Sequence, residues 1–125
     1  MDTNPVRWFE IYVQDMTRAK AFYEGVFQLK LEKLNSPDPK LELWAFPMVP
    51  EGAGAGGALA KMAGFPSGAN STLVYFACED CAVEEARIKP SGGRIQRPKT
   101  AIGEYGFIAL AFDTEGNMIG LHSLK

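Results

Sequence analysis

One pattern occurs twice in this chain, and it constrains the fold more than any other feature. Residues 8–15 (Trp8-Phe9-Glu10-Ile11-Tyr12-Val13-Gln14-Asp15) form an apolar, alternating run ended by an aspartate. A helical pattern starts at once with Met16-Thr17-Arg18-Ala19. Residues 73–80 (Leu73-Val74-Tyr75-Phe76-Ala77-Cys78-Glu79-Asp80) repeat it and run into Cys81-Ala82-Val83-Glu84-Glu85. Superposing Asp15 on Asp80 pairs Val13 with Cys78, Ile11 with Phe76 and Phe9 with Val74. Two copies of one supersecondary unit are expected, with a site where they meet.

Alternation over residues 6–13 puts Phe9, Ile11 and Val13 on one strand face and Trp8, Glu10 and Tyr12 on the other. Asp15 or Thr17 can cap the following helix. Its stripe of Ala19, Phe22, Tyr23 and Phe27 fits the strand's apolar face. Residues 29–34 and 41–46 are strand-like around a turn-rich segment at 35–39, and a short strand is expected near 58–62. The second copy follows the same order. Residues 71–78 are a strand and 81–89 a helix stopped by Pro90 and Gly92-Gly93; 94–97 are a strand, and 105–112 with 118–123 a hairpin. Each half is therefore β-α-β-β-β, an α+β fold. The organisation is one domain over residues 1–125, with repeat one at 6–62, a linker at 63–70 and repeat two at 71–125.

Composition narrows the partners. A chain of 125 residues buries a core without staples. Its net charge of −2 leaves no basic footprint, so nucleic acid is not expected. No apolar run approaches a membrane span and no signal-peptide pattern opens the chain, so a cytoplasmic protein with no membrane partner is expected.

Two motifs match chemistry by letter only. Cys78-Glu79-Asp80-Cys81 is formally a redox C-x-x-C, but Cys78 falls in register with Val13, Asp80 reads as a helix cap, and no second pair completes a zinc site. Gly52-x-Gly54-x-x-Gly57 matches a dinucleotide-binding pattern. That motif needs a strand before and a helix N-terminus after it, whereas here Pro50 precedes and a short strand follows. A mobile loop is the better reading.

Val13-x-Asp15, Arg18-Ala19-x-x-Phe22-Tyr23, Gly92-Gly93 and the closing run Asp113-Thr114-Glu115-Gly116-Asn117-Met118-Ile119-Gly120-Leu121-His122-Ser123 resemble the vicinal oxygen chelate superfamily, the glyoxalase, bleomycin-resistance and extradiol dioxygenase group. The resemblance implies two curved mixed sheets enclosing a cleft, with metal ligands on the first and last strands of each half. The matching positions here are Trp8 and Leu73 on the first strands, Gly120 on the closing strand and approximately Ala58 in the first half. An indole N–H only donates, and Leu, Gly and Ala offer no side-chain ligand. No metal and no other cofactor are therefore expected. One departure is structural: Gln28 stands where the family usually ends its first helix in glycine, a cost of about 1 kcal/mol if the left-handed geometry is kept.

If those positions face the cleft, alternation places Trp8, Glu10 and Tyr12 there, with Leu73, Tyr75 and Ala77 opposite and Met118, Gly120 and His122 on the last strand. Such a lining suits a small organic molecule, with Trp8, Glu10, Tyr12, Leu73, Tyr75, Met118 and His122 as its contacts. Glu10 and His122 are the catalytic candidates, for proton transfer, yet displacement along opposed strands carries them apart, about 7 Å each. Glu10 then falls near Ser71 and Met118, and His122 near Tyr75. The leading expectation is a glyoxalase-like module, a homodimer, binding a small molecule without metal. The alternatives are an atypical lyase- or isomerase-type enzyme using His122 or Glu10, and a redox protein acting through Cys78 and Cys81.

Overall fold

Asp15 and Asp80 each follow a strand by three residues and start a helix. The Asp15 carboxylate accepts from the amide of Arg18 and that of Asp80 from the amide of Ala82, both at 3.0 Å. Each caps an otherwise unpaired first-turn N–H. The computed structural model describes residues 8–36, 38–68 and 73–125. The first half contains β1 (Trp8–Tyr12), α1 (Met16–Phe27), β2 (Glu32–Lys33), β3 (Glu42–Ala45) and β4 (Gly56–Lys61). In the second half are β5 (Val74–Ala77), α2 (Cys81–Ile88), β6 (Arg94–Ala101), β7 (Phe107–Phe112) and β8 (Met118–Ser123).

The halves have one topology. The strand orders are β1-β4-β3-β2 and β5-β8-β7-β6, with the first strand of each half parallel to its last. Register aligns them residue by residue, since Glu10 pairs with Ala58 as Tyr75 pairs with Gly120. Ala58 is thus the first-half counterpart of Gly120.

One apolar core joins the repeats. Helix α1 buries Met16, Ala19, Phe22, Tyr23 and Val26, while Phe27, expected in the same stripe, is half-buried at its edge. Phe76 from the second half lies 4.7 Å from Phe27 and 5.4 Å from Phe46, centroid to centroid, with Phe9 edge-on to it at 5.7 Å. The turn between β7 and β8 adds a polar clasp. Asp113 accepts from the Tyr23 hydroxyl at 2.7 Å, and Asn117 donates to the carbonyl of Tyr12 at 3.0 Å. The same Asn117 accepts from the amide of Gly68 at 2.7 Å, which anchors the linker. Buried polar groups are tolerated here because each has partners.

Element ends differ from expectation in several places. Only Glu32–Lys33 of residues 29–34 are strand, because Leu31 turns into the core and its amide is taken by the Glu24 carboxylate at 2.9 Å. β6 runs to Ala101 and past Pro98. As the outer strand of its sheet it can carry a proline, and two register shifts absorb the irregularity. Helix α2 stops at Ile88, with Lys89 as its cap. Gln28 does take the left-handed conformation, φ 54° and ψ 51°.

Candidate functional site

On β1 the side chains alternate as the pattern requires. Ile11 and Val13 are buried beneath the helices, while Trp8, Glu10 and Tyr12 share the opposite face. Glu10 stands between its neighbours, accepting from the indole N–H of Trp8 at 3.2 Å and from the hydroxyl of Tyr12 at 3.3 Å. Burial, and then the Glu10 charge and hydrogen bond, raise the Tyr12 phenol above its ordinary pKa, so it remains a donor. The ring of Tyr12 stacks on Phe65, 5.4 Å between centroids.

A shallow pocket of about 150 Å³ opens beside this group, at the seam between the two sheets. Glu10, Ile11 and Tyr12 from β1, Pro66 and Gly68 from the linker, and Val74, Asn117, Met118 and Ile119 from the second half line it. Glu10 and Met118 therefore share one pocket. Ser71, placed near them by the sequence, lies outside the described residues. Leu73 is half-buried before β5, and the next residue, Val74, lines the pocket. Edge strands β1 and β5 bound the seam, so residues of both parities reach it. Pro66 and Gly68 were not legible as pocket residues. Asn117 was visible as part of the closing motif, but its contacts span 49 and 105 residues.

Tyr75 and Gly120 form the second feature. They pair laterally across parallel strands, and a Cβ added at residue 120 would run into the Tyr75 ring. The ring thus lies over the glycine, with 47% of the residue still exposed. A side chain at 120 would have to displace this ring, which occupies its space.

His122 is half-buried on β8, beside Ala77 on β5 and Ile108 on β7. It stands four residues beyond Met118, roughly 13 Å along the strand. Glu10 and His122 are not brought together.

The positions that would hold a divalent metal carry no donor set for one. Trp8 spends its N–H on Glu10, Ala58 lies beside Glu10 without a ligand atom, Gly120 is covered by Tyr75, and Leu73 is apolar. Among the described residues, no three His, Cys, Asp or Glu side chains come close enough to hold an ion. A catalytic divalent site needs about three such groups. The described residues do not fit a metal of that kind.

Cys81 is fully buried and Cys78 half-buried, both as free thiols. Burial, and then the Glu84 charge and hydrogen bond, push the Cys78 thiol up to about 12, away from the reactive thiolate. The glycine run leads into β4 at Gly56, so no helix N-terminus follows it to hold a phosphate.

The family model for the Glyoxalase/Bleomycin resistance protein/Dioxygenase superfamily matches residues 6–121. Among solved structures, glyoxalase I from Zea mays is similar, with a TM-score of 0.72 and 26% identity, over 93% of this chain and 43% of that one. TnmS3, an antibiotic binding protein from Streptomyces sp. CB03234, has a TM-score of 0.69 and 26% identity over 98% of both chains. The Leishmania major glyoxalase I structure has a TM-score of 0.72 at 21% identity, over 98% of this chain and 88% of that one. This chain spans less than half the length of the maize glyoxalase I chains. No curated protein matches it.

Proposed function

The chain belongs to the glyoxalase/bleomycin resistance protein/dioxygenase superfamily, and from that premise we propose that it binds an organic small molecule at the seam of its two repeats, without a divalent metal. The observation that carries this reading is the Tyr75 ring lying over Gly120. At that position an aromatic ring fills the space where the superfamily resemblance implies a carboxylate ligand. It offers a flat, half-exposed surface for stacking in place of a coordinating atom. Trp8, 38% exposed, offers a second one on the first half. The likeness to an antibiotic binding protein over nearly the full length of both chains points the same way.

Size bears on the assembly. A pocket of about 150 Å³ is smaller than the roughly 300 Å³ at which drug-sized sites begin. The ligand must therefore extend over the open sheet faces. Trp8, Met48, Phe65 and Tyr75 leave apolar area exposed. A homodimer, with a second copy over these faces, would enclose the molecule.

Thermal shift against a panel of planar aromatic compounds tests the binding, with metal analysis of the same preparation. A specific hit at a hundredfold over its Kd stabilises by about 2.7 kcal/mol. Tyr75→Ala should lose most of that shift while changing the unliganded Tm little, because the ring is half-exposed. Sedimentation with and without the hit reads the dimer. A stoichiometric bound zinc, nickel or iron ion, or the absence of any hit among neutral and charged aromatic compounds, would overturn the reading.

A further inference from the structure

We infer that the pocket beside Glu10 receives a positively charged ammonium group of the bound molecule, an inference that rests on the binding reading above. Among the described residues, the side chains lining the pocket include one carboxylate, Glu10, and no Lys, Arg or His. Its other polar side chains are committed. Tyr12 donates its hydroxyl to Glu10, and Asn117 donates to the carbonyl of Tyr12 and to Asp113 while accepting from Gly68. Two hydrogen bonds, from Trp8 and Tyr12, hold the carboxylate in place. An ionised carboxylate has about four acceptor sites, so two remain for a ligand. No ion pair to Glu10 occurs among the described residues.

Elimination then selects the ligand group. An anion would meet an uncompensated negative charge. A purely apolar group would strip water from the carboxylate and return nothing. A metal ion would find one acidic ligand where about three are needed. An ammonium satisfies the charge and the open acceptor sites together. Met118, Val74, Pro66 and Ile119 suit the alkyl groups of a substituted amine. The adjacent rings of Trp8 and Tyr12 add the attraction that aromatic side chains have for such cations. The volume fits a head group of that size, with the remainder of the molecule on the exposed rings.

The test is a fluorescence titration of the full chain carrying Trp44→Phe, which leaves Trp8 as the sole indole of the two in the sequence. Benzyldimethylammonium (protonated N,N-dimethylbenzylamine, which keeps one N–H), benzyl alcohol and benzoate are the probes. The ammonium should bind with the highest affinity, and Glu10→Gln should weaken it at least tenfold while leaving benzyl alcohol within twofold. Added salt should weaken the ammonium alone. Equal affinity for the alcohol, preference for benzoate, or an unchanged ammonium affinity in Glu10→Gln overturns the inference and leaves the binding reading standing. So does an aromatic panel whose neutral hits bind more tightly than its cationic ones. If neither the three probes nor the panel bind, both readings fall.

Discussion

Glu115, in the turn between the last two strands, is tied to Arg18 on the first helix by two hydrogen bonds of 2.7 and 2.9 Å. The same carboxylate accepts from the amides of Gln14 and Asp15 at 2.9 and 3.0 Å. Its side chain is fully buried although the Arg18 side chain is half-exposed. A single acidic residue thus holds the strand-to-helix corner of the first repeat against the final hairpin of the second.

Replacing it should be costly. Glu115→Ala leaves two amides and a guanidinium without their acceptor and is expected to destabilise by about 3 kcal/mol. Arg18→Ala should cost clearly less, because Glu115 keeps the two amides and the Thr114 hydroxyl. Urea unfolding of both variants gives the order.

The clasp also sets an acid limit. Burial on its own would raise the Glu115 carboxyl, but the bonds from Arg18, Asp15, Gln14 and Thr114 outweigh it and hold the group at about 2, against an ordinary 4.5. A folded-state pKa below the unfolded one means stability present above about 4.5 and lost as pH falls towards about 2. Stability measured between pH 6 and 2 should show this loss, and Glu115→Gln should flatten that limb.

Gln28 is the one non-glycine among the described residues with positive φ. Gln28→Gly should remove up to about 1 kcal/mol of strain. The bond from the Gln28 side chain to the carbonyl of Gly25, 2.7 Å, is lost in exchange and reduces the gain. A rise of a few degrees in Tm is expected. A fall would show that the side-chain bond outweighs the backbone term.

Adjacent glycines should respond differently. A Cβ at Gly57 would enter the ring of Phe9, which is wedged against Phe46 and Phe76. Gly57→Ala should therefore cost about 1–3 kcal/mol by overpacking. A Cβ at Gly56 would meet Met48 and Trp8 at ordinary contact distances of 3.4 and 3.5 Å, so Gly56→Ala should be nearly neutral. Thermal denaturation of the pair separates them.

Local chemistry determined the duplication, the caps and the faces. Period-two alternation with an aspartate stop identified both first strands and both helix starts, because side-chain direction and N-cap preference are properties of a few adjacent residues. The choice of Ala58 as the counterpart of Gly120 was also legible, from the equal order of elements in the two halves. Tertiary structure alone decided the rest. Glu115 reads as a solvated turn residue until the chain brings Arg18 to it across 97 positions. Tyr75 reads as one more cleft aromatic until the parallel pairing of β5 and β8 sets it over Gly120. The pocket beside Glu10 needs Pro66, Val74 and Met118 from three separate segments. Periodicity fixes which way a side chain points, but which distant residue it meets is set by strand register and by the packing of one repeat on the other.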